Sequence, residues 1–152
     1  SRETLQIAGH VAAAVDANTD LLIANQYYPI SGPCTEMCLL ETAAQAMVDT
    51  ASGRELLSGS AAAKGVAMDK TTGMEARIMG EASIATCGMK ISDVNEILEK
   101  LVSSYEGNYH KPPAGKRFQE CYDVNTVKPT DEYLKVYDNA VKTLRDLGLA
   151  IK

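Results

Sequence analysis

Residues 20–36 read DLLIANQYYPISGPCTE, an apolar run that passes directly into two amides and two tyrosines and then into a turn rich in proline and glycine. Asn25, Gln26, Tyr27 and Tyr28 can donate and accept hydrogen bonds. They are poor proton-transfer groups near neutral pH, because a phenol titrates near ~10 and an amide does not titrate. Such a cluster suits holding and polarising a ligand whose reactive group is supplied from elsewhere. Side chains alternate along an extended segment, so Gln26 and Tyr28 are expected to project one way and Asn25 and Tyr27 the other. One pair can then face a ligand. A second reading stays open beside it, in which these groups satisfy backbone amides of the adjoining loop, as buried polar groups must.

The remaining chemistry-bearing residues are less organised. Glu36, Glu41, Glu75 and Glu81 fall at helix positions that suit capping, pairing or solvation, and no two carboxylates are brought together by spacing for acid/base work. The chain contains no G-x-S-x-G, no G-x-G-x-x-G and no P-loop. Cys34 and Cys38 share a helix face, but their only imidazole partners are His10 and His110, at no recognised zinc spacing, so both are expected to be small buried hydrophobes and no metal site is expected. His10 is placed on a polar helix face and His110 in an exposed loop. Tyr133 and Tyr137, four apart, are expected to pack rather than react.

Composition bounds the function. The 152 residues, 45% hydrophobic and 23% charged, fit one globular domain with a real core. Fifteen Lys and Arg against 20 Asp and Glu give a net charge of -5, which argues against nucleic acid as a partner. No apolar run approaches the ~20 residues of a membrane span, and the opening SRETLQIAGHVAAAVDAN reads as neither a signal peptide nor an anchor. The start at Ser1, almost directly inside a helical pattern, suggests a fragment or a processed chain. Four cysteines without a secretory signal point to a reducing cytoplasmic setting without disulfides.

The elements that must position the cluster follow from periodicity. A helix is expected over residues 4–15, from the spacing of Leu5, Ala8, Val11, Ala12 and Val15, and a short strand over 21–24, covered on both faces as in parallel sheets. Ser31 or Gly32 is expected to cap the next helix, with Pro33 in its first turn and Met37, Leu40, Ala44, Met47 and Val48 as its apolar stripe. A second strand is expected near 55–57, followed by a loop over 58–73. A capping box at Thr72 and Glu75 opens a helix that ends at Gly88, Ser92 caps another that ends near Gly107, and residues 129–132 open a last helix stopped by Gly148. No strand pattern is visible beyond about residue 92. The expected organisation is an α/β segment over 1–90 carrying the cluster at a strand end, and a helical C-terminal extension over 91–152. In parallel α/β architectures ligands sit at the carboxyl ends of the strands.

Five stretches together resemble one family. RETLQIAGH, NQYYP followed by SGPCTEMCLLE, DTASGRELLSG, AKGVAMDKTTGMEARIMGE and PAGKRFQECYDV are similar to the pyrrolysine-containing monomethylamine:corrinoid methyltransferases of methanogenic archaea, over nearly the whole chain. The likeness is to the C-terminal third only of those enzymes. It implies the C-terminal portion of a TIM (β/α)8 barrel with a helical extension, since 152 residues fall short of the roughly 250 of a complete barrel. It implies transfer of the methyl group of monomethylamine to the Co(I) corrinoid of a cognate corrinoid protein in methanogenesis. The pyrrolysine whose imine ring binds the amine is expected upstream, so no catalytic residue is expected in this chain, and no cofactor is expected to bind it tightly. The family's amide and phenol near that ring match Gln26 and Tyr28, with Asn25 and Tyr27 as possible further contacts. His10 and Ile30 depart from the family pattern. A homo-oligomer is implied, with no nucleic acid and no membrane partner. The alternative from a different class is a non-catalytic α/β interaction or oligomerisation module, because an incomplete barrel leaves strand edges open. A corrinoid-carrying domain is disfavoured, since no Asp-x-His-x-x-Gly is present.

Overall fold

A computed structural model describes residues 1–151. Ser1 caps α1 (Arg2–Asn18) by accepting from the Thr4 amide, and the helix buries only Leu5 and Ala12. Its N-terminal end is tied across the molecule by Arg2, whose guanidinium meets Glu106 at 2.7 Å and also reaches Glu99.

The first strand, β1, covers Ala24–Tyr27, where residues 21–24 were expected. Leu21 and Leu22 precede it and are exposed, at 65% and 75%. Pairing decides the boundary: only from Ala24 onward does the chain run beside β2 (Leu56–Ser60), in parallel, with Ala24 opposite Leu56 and Tyr27 opposite Ser60. The amides and Tyr27 therefore form the strand itself, and Tyr28 is the first residue beyond it. The second strand also runs further than expected, through Ser58-Gly59-Ser60. The register shifts between Asn25 and Gln26, and the Ser58 hydroxyl fills the irregularity by donating to the Asn25 carbonyl at 3.0 Å. Cross-strand pairing overrides the weak strand preference of these small residues.

The helix joining the two strands, α2 (Glu36–Ala51), is buried on nearly every side. It packs against both strands, α1 and three later helices. Thr35 caps it, accepting from the Cys38 amide at 3.3 Å; Ser31 and Gly32 lie before it in the turn. Next come α3 (Gly73–Thr86), opened by the expected capping box of Thr72 and Glu75, and α4 (Ile91–Tyr105), whose cap is Lys90 rather than Ser92. A one-turn helix α5 (Phe118–Cys121) leads into a two-residue hairpin, β3 (Tyr122–Asp123) and β4 (Lys128–Pro129). That hairpin was not legible, because two residues are too few for a periodic pattern. The last helix, α6 (Asp131–Asp146), is capped by Thr130 and buries Tyr133, Tyr137, Val141 and Leu144. One core runs from Leu5 to Ile151 and takes side chains from both sides of residue 90. The architecture is mixed α/β, a parallel β1–α2–β2 unit with helices packed around α2. Among the described residues no helix is long and apolar enough to cross a membrane.

Two further contacts tie these elements together by polar groups. Glu75 is fully buried. It accepts from the Thr72 amide at 2.7 Å, the Thr72 hydroxyl at 2.8 Å and the Tyr133 hydroxyl. Burial pushes its carboxyl above the ordinary range, and the bonds from Tyr133 and Thr72 pull it back. Glu75 and Tyr133 were expected to cap and to pack; they form one buried polar link between α3 and α6. The second contact is a backbone crossing. The Gly32 amide donates to the Pro113 carbonyl at 2.9 Å and the Lys116 amide to the Pro33 carbonyl at 3.0 Å. At this crossing a Cβ on Gly115, whose φ is +63°, would collide with the backbone of Gly32 and Pro33.

Gly115→Ala is therefore expected to destabilise the fold by about 2–4 kcal/mol, combining overpacking with left-handed strain, as read from urea unfolding. For Glu75 the folded state holds its proton more tightly than the unfolded chain, so its contribution is most favourable below the unfolded carboxyl value of about 4.3 and falls as pH rises through the raised folded value. The stability of the parent relative to Glu75→Gln should decline as pH rises above about 4 in denaturant titrations. A pH-independent difference would contradict this account.

Candidate functional site

The site is built from β1 outward. Asn25 is half-buried and donates through Nδ2 to Asp49 Oδ2 at 2.8 Å. Tyr27 is fully buried among core residues, and its hydroxyl has no hydrogen-bond partner among the described residues. Burial, reinforced by the charge of Asp49, pushes its ionisation far above that of an ordinary phenol. Gln26 and Tyr28 are exposed, Tyr28 at 54%. The strand thus divides its four polar side chains, with Asn25 and Tyr27 turned into the protein and Gln26 and Tyr28 left on its open side.

Charges beneath the strand fix its position. Asp49, at the C-terminal end of α2 and 1% exposed, also takes the Arg54 guanidinium at 2.9 Å. Arg54 in turn donates to the carbonyls of Ala24 and Ala8, each at 3.3 Å. A buried ion pair is maintained only when its remaining donors and acceptors are satisfied, and here the satisfying partners are the β1 side chain and the backbones of β1 and α1.

Beyond Tyr28, Glu41 takes over. Its carboxylate accepts from the Ile30 amide at 3.3 Å, from the Ser31 amide at 3.2 Å and from the Ser31 hydroxyl. Burial raises its ionisation while those same bonds lower it. Glu41 was expected to cap, pair or be solvated, and it does none of these. The available signal lay in α2 itself: a helix that is small and apolar on nearly all faces is buried all round, so a carboxylate on it must lie inside and bind something. Beside Tyr28 opens a cavity of ≈ 340 Å³, walled by Glu41, Gln45, Tyr105 and Tyr109.

This arrangement can orient a ligand. The two nearby carboxylates are committed to protein donors, and the two exposed groups are an amide and a phenol. Cys34 and Cys38 are free thiols inside the protein, as expected, and burial raises both. Cys121 is likewise buried, whereas Cys87 is exposed. His10 and His110 are both exposed and lie apart from the strand. Among the described residues no group of three or more His, Cys, Asp or Glu is gathered to hold a metal ion.

Comparison with known proteins places this geometry. A family model described as Monomethylamine methyltransferase MtmB matches residues 1–149. Monomethylamine methyltransferase MtmB2 of Methanosarcina barkeri is 66% identical over 149 residues, which are 98% of this chain and 32% of that protein. MtmB of Methanosarcina mazei is 64% identical over the same shares. Among solved structures, the Methanosarcina barkeri monomethylamine methyltransferase superimposes with a TM-score of 0.98 at 66% identity, covering 99% of this chain and 33% of the other. A hydroxylamine complex of MtmB gives the same values. The chain spans about a third of the length of these relatives. It belongs to the monomethylamine methyltransferase MtmB family.

Proposed function

We propose that this chain is the C-terminal third of a cytoplasmic enzyme that moves the methyl group of monomethylamine to the Co(I) corrinoid of a cognate corrinoid protein, and that Gln26 and Tyr28 orient the amine. One observation carries the role of the two residues: they are the exposed members of a strand whose other polar side chains, Asn25 and Tyr27, are turned inward. In this reading β1 and β2 are strands of a larger (β/α)8 barrel, with Gln26 and Tyr28 at its carboxyl rim. The pyrrolysine ring and the partner's corrinoid supply the methyl-transfer chemistry.

What this chain's residues do is confined to binding and positioning. The Gln26 amide oxygen and the Tyr28 phenol oxygen accept from amine N–H groups, and neither exchanges a proton with the substrate near neutral pH. The tyrosine face adds attraction for a small cation without the desolvated counter-charge that a carboxylate would introduce. That hydroxylamine, a small amine-type molecule, is complexed with a structural relative agrees with this substrate class.

A second reading has its own support, a self-associating α/β module. Among the described residues β1 and β2 are paired only with each other, and Leu21, Leu22 and Leu56 lie exposed along this unit. Open edges flanked by apolar side chains invite pairing with further polypeptide. In the enzyme reading the rest of the barrel fills that role, and homo-oligomer formation is a property of the complete protein.

Two measurements separate these readings. In the complete enzyme, Gln26→Ala and Tyr28→Phe should each lower methyl transfer from monomethylamine by about ten- to a hundredfold, the loss expected for one hydrogen bond to a charged group; unchanged rates in both variants would end the assignment. The isolated 152-residue chain should aggregate without fixed stoichiometry in sedimentation velocity, whereas a single species of fixed stoichiometry that melts cooperatively would favour the self-associating module.

A further inference from the structure

Tyr28 stands one residue beyond the paired part of β1, and among the described residues no hydrogen bond engages its hydroxyl. Its ring is placed by contact. The contact comes from the turn that follows β2. Three amides of this turn reach carbonyls on either side of Tyr28: Ala61 to Tyr27, Lys64 to Pro29 and Ala63 to Ser31, each at 2.8 Å.

The geometry of the turn is unusual. Ala63, Lys64 and Gly65 are consecutively left-handed, with φ of 53°, 61° and 68°. For the first two residues this conformation is strained, by roughly 1–2 kcal/mol per residue. Residues 64–69 are exposed and Ala63 is half-buried, with the buried Ala62 just before them. Such strain persists where the surrounding contacts over-determine it, and it concentrates at functional sites. Its outcome is the approach of Gly65 to the Tyr28 ring. A Cβ at position 65 would lie 3.0 Å from Cε1 and 3.1 Å from Cδ1 of Tyr28. The ring therefore rests against a bare Cα.

We propose that the turn over residues 61–65 is a positioning device for the substrate site, and that Gly65 is the positioning residue that sets the Tyr28 ring against the bound amine. This rests on the reading of Tyr28 as amine-orienting. Gly65 touches no substrate; it acts through the phenol, and the three backbone bonds lock the turn to the strand that carries it. A Cβ at position 65 would press on the ring, which must give way by a few tenths of an ångström, and misplacing an orienting group lowers turnover.

The test uses the complete enzyme with monomethylamine and its corrinoid partner. Gly65→Ala is expected to lower kcat/KM by about two- to tenfold, with the Tyr28 ring displaced by a few tenths of an ångström in the crystal structure of the variant. Gly65→Asn separates ring displacement from backbone strain, since asparagine accepts a left-handed backbone more readily yet still carries a Cβ, and it should show the same loss. Added to Tyr28→Ala, either substitution should bring no further loss, the non-additivity of residues acting as a unit. An undisplaced ring, an unchanged kcat/KM beside an impaired Tyr28→Ala, or an equal loss in both backgrounds would overturn the positioning role alone. A wild-type rate in Tyr28→Ala would instead remove the amine-orienting reading, and the catalytic meaning of the turn with it.

Discussion

Two carboxylates carried into the interior by one helix hold the strand on which everything else depends. Asp49 lies under β1, between Asn25 and Arg54. Eight residues earlier on the same helix, Glu41 receives the amides of Ile30 and Ser31 just past the strand. An isolated buried carboxylate is unfavourable by several kcal/mol, and only a full set of donors offsets it. Asn25 of β1 and the turn that follows it supply part of that set, so removing the strand from its position would strip Glu41 of its Ile30 and Ser31 donors and leave Asp49 with Arg54 alone. This makes a four-residue, largely polar strand rigid enough to present side chains.

Rigidity explains the division of labour along the strand. The side chains facing inward are consumed: Asn25 by Asp49, Tyr27 by burial. Those facing outward retain their full hydrogen-bonding capacity. Because every nearby carboxylate is engaged with protein donors, an amine that meets this surface meets an amide and a phenol rather than a competing anion. Polarity without titration is a consequence of the fold around β1, and it is the property that an orienting site requires when the reactive group comes from another part of the polypeptide.

Much of this was legible in the residues. The alternation of Gln26 and Tyr28 against Asn25 and Tyr27, the capping box of Thr72 and Glu75, the stripe of α4 and the Thr130-capped stripe of α6 all rest on periods of 2 and 3.6, which a local stretch displays in full. The position of β1 did not follow in the same way. Leu21 to Ile23 looks more like a strand than Asn25 to Tyr27, and the choice was made by β2, about thirty residues away in the chain, which pairs only with the polar segment. The same holds for Glu41, Glu75 and Tyr133. Each reads locally as a cap, a solvated group or a packing residue, and each acquires its role from a partner on another element.

The sequence by itself determined which residue types alternate along the strand, where most helices begin, and, through long matching stretches, the family to which the chain belongs. Only the tertiary structure decided which of the polar groups remain free, because freedom depends on what a neighbouring element offers: Asp49 claims Asn25, the Ile30–Ser31 turn claims Glu41, and nothing in the described chain claims Gln26 or the Tyr28 hydroxyl. It also decided that Gly65 meets the Tyr28 ring. Hydrogen bonding and steric contact act between residues adjacent in space, and adjacency across dozens of residues is set by packing rather than by any local pattern.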